Sequence, residues 1–319
     1  MKKLELRKSY ALPDAVECTL LHSRLDEQIE MIVTDPPPRL IVDANLRNKY
    51  FEDGLQQSDV TKLAKLRGVF GLSIVRDFHE LDFLESLSSL QYLSIGSLVD
   101  AETIPQRVID LSNMLALRTL RLPAQYCDGD VYNLPRGETL KNLCLSKTKL
   151  THGTVADYIG SLTSLRTLDL FKLSFEKLDW LANLPKLAGL EFYGVSSRTP
   201  ADLSHNPNLS VVELQAIKSL NSVLTPGESG SLETLHIESC GRVDLDAWLA
   251  PNLNSLEFLS LRNLRKPVQP LRRALHMPRL QHLSLDGFNA LTRPDISGPK
   301  AKPDLASTSE LLHRQIALR

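Results

Sequence analysis

The chain has 319 residues, 42% of them hydrophobic and 24% charged, which excludes a sequence too polar to bury a core. A formal net charge of -1 by itself predicts neither nucleic-acid nor membrane affinity. Cys18, Cys127, Cys144 and Cys240 show no C-x-x-C spacing, so neither a zinc site nor a disulfide framework is indicated.

In chain order, the basic start Met1-Lys2-Lys3 is followed by no apolar run of signal-peptide length, and no later stretch is long and apolar enough to span a bilayer. A cytoplasmic location is expected. Gln28–Val33 and Arg39–Asp43 read as strands flanking Thr34-Asp35-Pro36-Pro37-Pro38, where three prolines favour an extended or turning connection. Residues 1–60 do not fit the periodicity that follows and are expected to form a strand-containing N-terminal cap over the end of a repetitive core.

From Leu66 onward a spacing L-x-x-L-x-L recurs. Its clearest copy is Leu165-Arg166-Thr167-Leu168-Asp169-Leu170. The fourth position falls at Leu72, Leu93, Leu120, Leu143, Leu168, Leu190, Val212, Leu235, Leu259 and Leu283, at intervals of 21 to 27 residues. Alternate leucines point one way only in a β-strand, so each copy predicts one short strand feeding a shared core. Between strands, Phe78, Leu81, Leu84 and Leu87 share a helical face, as do Val155, Tyr158, Ile159 and Leu162, and Phe175, Leu178, Leu181 and Leu184. Ser196–Pro207 and Asn221–Gly230 are too short or too rich in proline for the same reading. After Leu291 the Pro and Gly content marks a linker, and Ser309–Leu318 reads as a short terminal helix.

The ten spaced copies resemble the leucine-rich repeat family. The resemblance implies an α/β solenoid over residues 61–291, a horseshoe with a parallel concave sheet and a convex side of mixed helices and loops, followed by a linker and possible helix over 292–319. One departure stands out. The family places Asn or Cys three residues after the last strand leucine, whereas this chain has Leu98, Gln125, Thr148, Leu173, Val195, Ile217, Cys240, Leu264 and Phe288 there. Without an asparagine ladder, an irregular turn is expected.

With positions four and six turned inward, positions three, five and seven face the concavity. Position five places Asp169, Glu191 and Glu213 on successive rungs, roughly 4.8 Å apart. Position seven places Phe171 and Tyr193 beside them. Three carboxylates in a row repel one another, and a partner's Lys or Arg side chains would relieve that repulsion while the rings add cation–π contact. A solvated face that only keeps the sheet soluble is the plain alternative. His236 beside Glu213, and Glu238 beside Arg262, read as charge pairs. From Asp169 to Glu257 twelve acidic residues stand against six basic ones, whereas Arg262–Leu285 carries six basic residues and no acid. Arg272, Arg273 and Arg279 fall in a connection, where a solvated edge is the simpler reading than a nucleic-acid site.

No Gly-rich phosphate loop, G-x-S-x-G or H-E-x-x-H appears. Cys144 has no histidine on a neighbouring rung to act as its base. No cofactor, metal or catalytic group is therefore expected. The expected function is non-catalytic recognition of a protein with a basic surface, through Asp169, Phe171, Glu191, Tyr193, Glu213, His236, Glu238 and Arg262. The resemblance extends to bacterial repeat proteins that sequester a partner, and one specific form is an immunity protein that neutralises a basic toxin. The alternative is an adaptor presenting client proteins to another complex, which needs a second docking surface at one terminus.

Overall fold

A computed structural model describes residues 4–9, 12–45, 52–75, 81–96, 110–123, 134, 138–146, 153–226, 231–264 and 277–286. Two compact units divide the chain, Met1–Thr148 and Lys149–Leu312.

In the first unit, β1 (Arg7–Lys8) pairs antiparallel with β2 (Val16–Thr19), and all later strands run parallel. These are β3 (Leu40–Asn45), β4 (Gly71–Val75), β5 (Tyr92–Gly96), β6 (Thr119–Pro123) and β7 (Asn142–Ser146). The register aligns Cys18, Val42, Leu72, Leu93, Leu120 and Leu143 as one row. The ladder thus extends into residues 16–45, where the leucine spacing is absent and Cys18 and Val42 fill the same buried place. At the free edge, Arg7 donates to Glu17 (3.0 Å) and Asp43 (2.6 Å), tying β1 across β2 to β3.

The strand expected at Gln28–Val33 is instead part of a helix, α1 (Leu25–Thr34). Leu25, Ile29 and Ile32 are buried on one helical face, a spacing that is lost when the segment is read from Gln28 alone. Gln28 is held by the strand below it, its Nε2 donating to the Thr19 carbonyl at 3.0 Å and its Oε1 accepting from the Leu21 amide at 2.8 Å. A short helix, α2 (Val60–Leu63), precedes β4.

The second unit begins its described part with α3 (Gly153–Ser161), where the spacing of Val155, Tyr158 and Ile159 predicts a helix. Then come β8 (Thr167–Phe171), β9 (Ser174–Phe175), β10 (Gly189–Tyr193), β11 (Ser196–Ser197), β12 (Ala201–Asp202), β13 (Val211–Gln215), β14 (Leu224–Thr225), β15 (Thr234–Glu238), α4 (Leu245–Leu249), β16 (Phe258–Arg262) and β17 (His282–Asp286). The main sheet is parallel in the order β8-β10-β13-β15-β16-β17, with Leu168, Leu190, Val212, Leu235, Leu259 and Leu283 in one row. Every fourth-position residue that periodicity singles out therefore lies in the row assigned to it. Leu170, Phe192, Leu214, Ile237 and Leu261 form a second inward row, fully buried, each side chain contributing roughly 1.5–3 kcal/mol by leaving water. The pairs β9–β11 and β12–β14 form small parallel ladders on the connecting side.

Those connections are tighter than helices. Leu178, Leu181 and Leu184 are buried as expected, but the backbone forms a 3-10 turn over Asp179–Asn183, and a similar turn occupies Asp82–Ser86. Repeats of 21 and 22 residues leave too few for a full α-helix on these two crossovers. Phe78, Cys127, Arg265–Arg273, the linker after Leu291 and the helix read at Ser309–Leu318 lie outside the described residues.

In the second unit, the turns after β8, β10, β13, β15 and β16 are regular, where irregularity is expected. Lys172, Gly194, Ala216, Ser239 and Asn263, the residue after position seven in five successive repeats, all adopt φ between 53° and 61°. This left-handed conformation aims each amide at the next repeat. Lys172 N donates to Tyr193 O, Gly194 N to Gln215 O, Ala216 N to Glu238 O, Ser239 N to Arg262 O and Asn263 N to Asp286 O, at 2.6 to 2.9 Å. A backbone ladder thus replaces the missing side-chain one. At the Asn/Cys position itself, Leu173, Val195, Ile217, Cys240 and Leu264 are buried. The single S–H of Cys240 is shared between Leu214 O of the preceding repeat (3.4 Å from Sγ) and Glu238 O (3.3 Å), and burial raises its pKa to about 11.

Candidate functional site

Side chains at positions three, five and seven share the polar face of each unit's sheet, because residues two apart on a strand point the same way. In the second unit position five aligns Asp169, Glu191, Glu213, His236, Ser260 and Ser284 across six strands. Position seven aligns Phe171, Tyr193, Gln215, Glu238, Arg262 and Asp286 in the same register. The three central carboxylates therefore stand on adjacent rungs, as expected. The Phe171 and Tyr193 rings stack beside them, centroids 6.2 Å apart, with the Lys172 ammonium 5.9 Å from the Tyr193 ring.

The row is not uniformly solvated. Asp169 and Glu191 are half-buried, whereas Glu213 is 3% exposed and the next two rungs, His236 and Ser260, are 0% exposed. The flanking positions differ along the row. Glu191 has Gly189 on one side, which leaves space, but Glu213 stands between Val211 and Gln215, His236 between Thr234 and Glu238, and Ser260 between Phe258 and Arg262. Phe258 further stacks on His282, with ring centroids 4.4 Å apart and planes 3° from parallel.

Burial changes the chemistry of these groups. Glu213 has its pKa raised to about 7, first by desolvation and then by the charges of Asp169 and Glu238, against a hydrogen bond from Gln215 Nε2 to its Oε2 (3.4 Å). The expected Glu213–His236 charge pair does not form. His236 Nε2 instead meets Glu238 Oε2 on its own strand at 3.3 Å. Desolvation holds the His236 pKa below its ordinary value despite the pull of Glu238, so the neutral ring is favoured. Nε2 then carries the proton that Glu238 accepts, and Nδ1 is left with a lone pair. The second expected pair is present: Arg262 lies 4.0 Å from Glu238 and 3.7 Å from Asp286.

Glu213 Oε1, His236 Nδ1 and Ser260 Oγ are buried without a hydrogen-bond partner. Such groups cost about 1–3 kcal/mol each, and here three occupy consecutive rungs of one row. Position-five order made Ser260 visible in the sequence, but only the bulk of its flanking residues signalled that it would be buried. In the first unit, position five aligns Arg121 with Cys144, both half-buried. Arg279 is exposed and pairs with Glu257 in the second unit. Among the described residues no group of three or more His, Cys, Asp or Glu could hold a metal ion, and no helix is long and apolar enough to cross a membrane.

One parallel strand per repeat and paired inward rows in each unit, with a left-handed turn between the described repeats of the second, define the fold class as that of leucine-rich repeats. No family model and no curated protein matches the chain. Among solved structures it is similar to an internalin (inlF) of Listeria monocytogenes, with 16% identity over 88% of this chain and 94% of that one, and a TM-score of 0.49. It is also similar to a TDR receptor, with 15% identity over 77% of this chain and 41% of that one, at a TM-score of 0.40. A third likeness is to the plant peptide hormone receptor RGFR1 in complex with RGF2, with 14% identity, 77% and 50% coverage, and a TM-score of 0.34. The chain spans half or less of the two receptor chains.

Proposed function

We propose that the protein is a non-catalytic binding scaffold whose second unit receives a basic protein partner on the polar face of its sheet. The observation that carries this reading is the register. Asp169 and Glu191 stand on adjacent rungs beside the Phe171–Tyr193 stack, so negative charge and aromatic surface are presented together, and Lys or Arg side chains are complementary to both. Glu238 and Arg262 continue the half-buried surface at position seven, while Glu213 and His236 lie buried in the row between. Ser260 Oγ and His236 Nδ1, although one rung apart, make no hydrogen bond, so His236 does not prime Ser260 as a base would.

A partner that is a basic toxin, neutralised as by an immunity protein, is the specific form of this reading. An adaptor role would need a second docking surface. The test is affinity capture with immobilised full chain, comparing wild type with Asp169→Lys/Glu191→Lys at two salt concentrations. These two positions are half-buried, so reversal probes the surface without forcing a lysine into the buried Glu213 place. A basic protein retained by wild type, lost by the variant and weakened by salt supports the proposal. An identical capture profile for both chains sinks it.

A further inference from the structure

We infer that Glu213, His236 and Ser260 form a slot for one cationic side chain of the partner, a lysine ammonium or an arginine guanidinium, and that a proton on Glu213 competes with that side chain. The inference rests on the proposed function and narrows it to an anchor point.

Three observations lead there. The three groups lie on consecutive rungs in one register row, Glu213 opposite His236 and His236 opposite Ser260. Each buries one polar atom without a partner. Each of those atoms accepts hydrogen bonds: a carboxylate oxygen, an imidazole lone pair on Nδ1 fixed by the Nε2 contact to Glu238, and a hydroxyl oxygen. A row of acceptors that includes a carboxylate suits a ligand that carries several N–H donors and positive charge. An anion or a carbonyl would instead meet lone pairs and a negative field.

Entry proceeds from the position-seven side, where Gln215, Glu238 and Arg262 are half-buried on flexible side chains. An incoming cation takes the place beside Glu238 that Arg262 now holds at 4.0 Å. The charged groups facing Glu213 are Asp169 on β8, Glu191 on β10, His236 and Glu238 on β15 and, beyond them, Arg262 on β16. The carboxylates disfavour a further negative charge on Glu213, and a bound cation reverses that. Capture of the cation therefore expels the Glu213 proton, and affinity rises with pH until the carboxyl is fully ionised.

The experiment titrates full-length protein with Nα-acetyl-lysine methylamide, its arginine counterpart and the uncharged norleucine counterpart. The reading is the His236 imidazole nitrogen resonances. A saturable shift with the lysine or arginine probe and none with norleucine is expected, and whichever cation gives it names the side chain. Affinity should improve about tenfold between pH 6 and pH 8, following ionisation of a carboxyl with pKa about 7. Glu213→Gln should abolish the response while the circular dichroism spectrum is retained, and Ser260→Ala should weaken it. No saturable response to either cation, or an equal response in Glu213→Gln, overturns the slot. A null probe titration, with basic-protein capture still sensitive to Asp169→Lys/Glu191→Lys, overturns the slot alone. A positive titration with no basic protein captured overturns the proposed function alone.

Discussion

Replacing Glu213 with glutamine separates the cost of burying its charge from every other contribution to stability. The folded-state pKa of about 7 stands above the ordinary value of 4.5, so between those values the folded protein keeps a proton that the unfolded chain has released. Stability from this group is full below pH 4.5 and falls as pH rises through 7. With each pKa unit equal to about 1.36 kcal/mol, wild type should lose about 2–3 kcal/mol between pH 5 and pH 8 relative to Glu213→Gln, whose amide does not titrate. Urea unfolding of both proteins at the two pH values measures the difference, and taking wild type minus variant cancels the other titrating groups. Glutamine should be close to neutral at pH 5 and stabilising at pH 8. A wild-type-minus-variant difference that stays constant with pH refutes the argument, because it would mean that Glu213 ionises as a solvated carboxyl does.

Ser260→Ala removes a buried hydroxyl whose Oγ has no partner, so the variant should unfold at higher urea, by about 1 kcal/mol, where the usual buried Ser→Ala change destabilises. Ala216→Gly relieves a left-handed residue at φ 55°. Strain of about 1–2 kcal/mol set against glycine's entropy cost of about 0.5–1 kcal/mol leaves a small net gain, read as a raised Tm. The opposite change, Gly194→Ala at φ 61°, should lower it. At Gly241 a Cβ would fall 2.2 Å from the Lys218 carbonyl oxygen, so Gly241→Ala should destabilise by at least about 1–3 kcal/mol through a forced backbone shift. Equal Tm values for wild type and Gly241→Ala would contradict the close approach.

The strands were legible because each is marked by two inward side chains at a fixed spacing, and Leu72 through Leu143 in the first unit and Leu168 through Leu283 in the second align as that spacing requires. The N-terminal rungs were harder to read because Cys18 and Val42 fill the same places without leucine, and because α1 carries β-favouring residues whose helical face appears only when Leu25 is included. The regular turn was hidden for a different reason. It depends on backbone conformation at Lys172, Ala216, Ser239 and Asn263, and only Asn among these four is a residue type that commonly takes the left-handed form. At the candidate site, the order of residues along the row could be read directly. Their burial was signalled only by the bulk of the residues at positions three and seven of the same strand, such as Phe258 and Arg262 about Ser260.

The most direct test of a basic-partner site on the second unit's polar face is calorimetric titration of a captured basic protein into wild type and into Asp169→Lys/Glu191→Lys, at low and at high salt. A loss of affinity of at least about tenfold in the variant, together with weaker wild-type binding at high salt, is the predicted result. Equal affinity for the two proteins at both salt concentrations would contradict it and place the binding surface elsewhere on the chain.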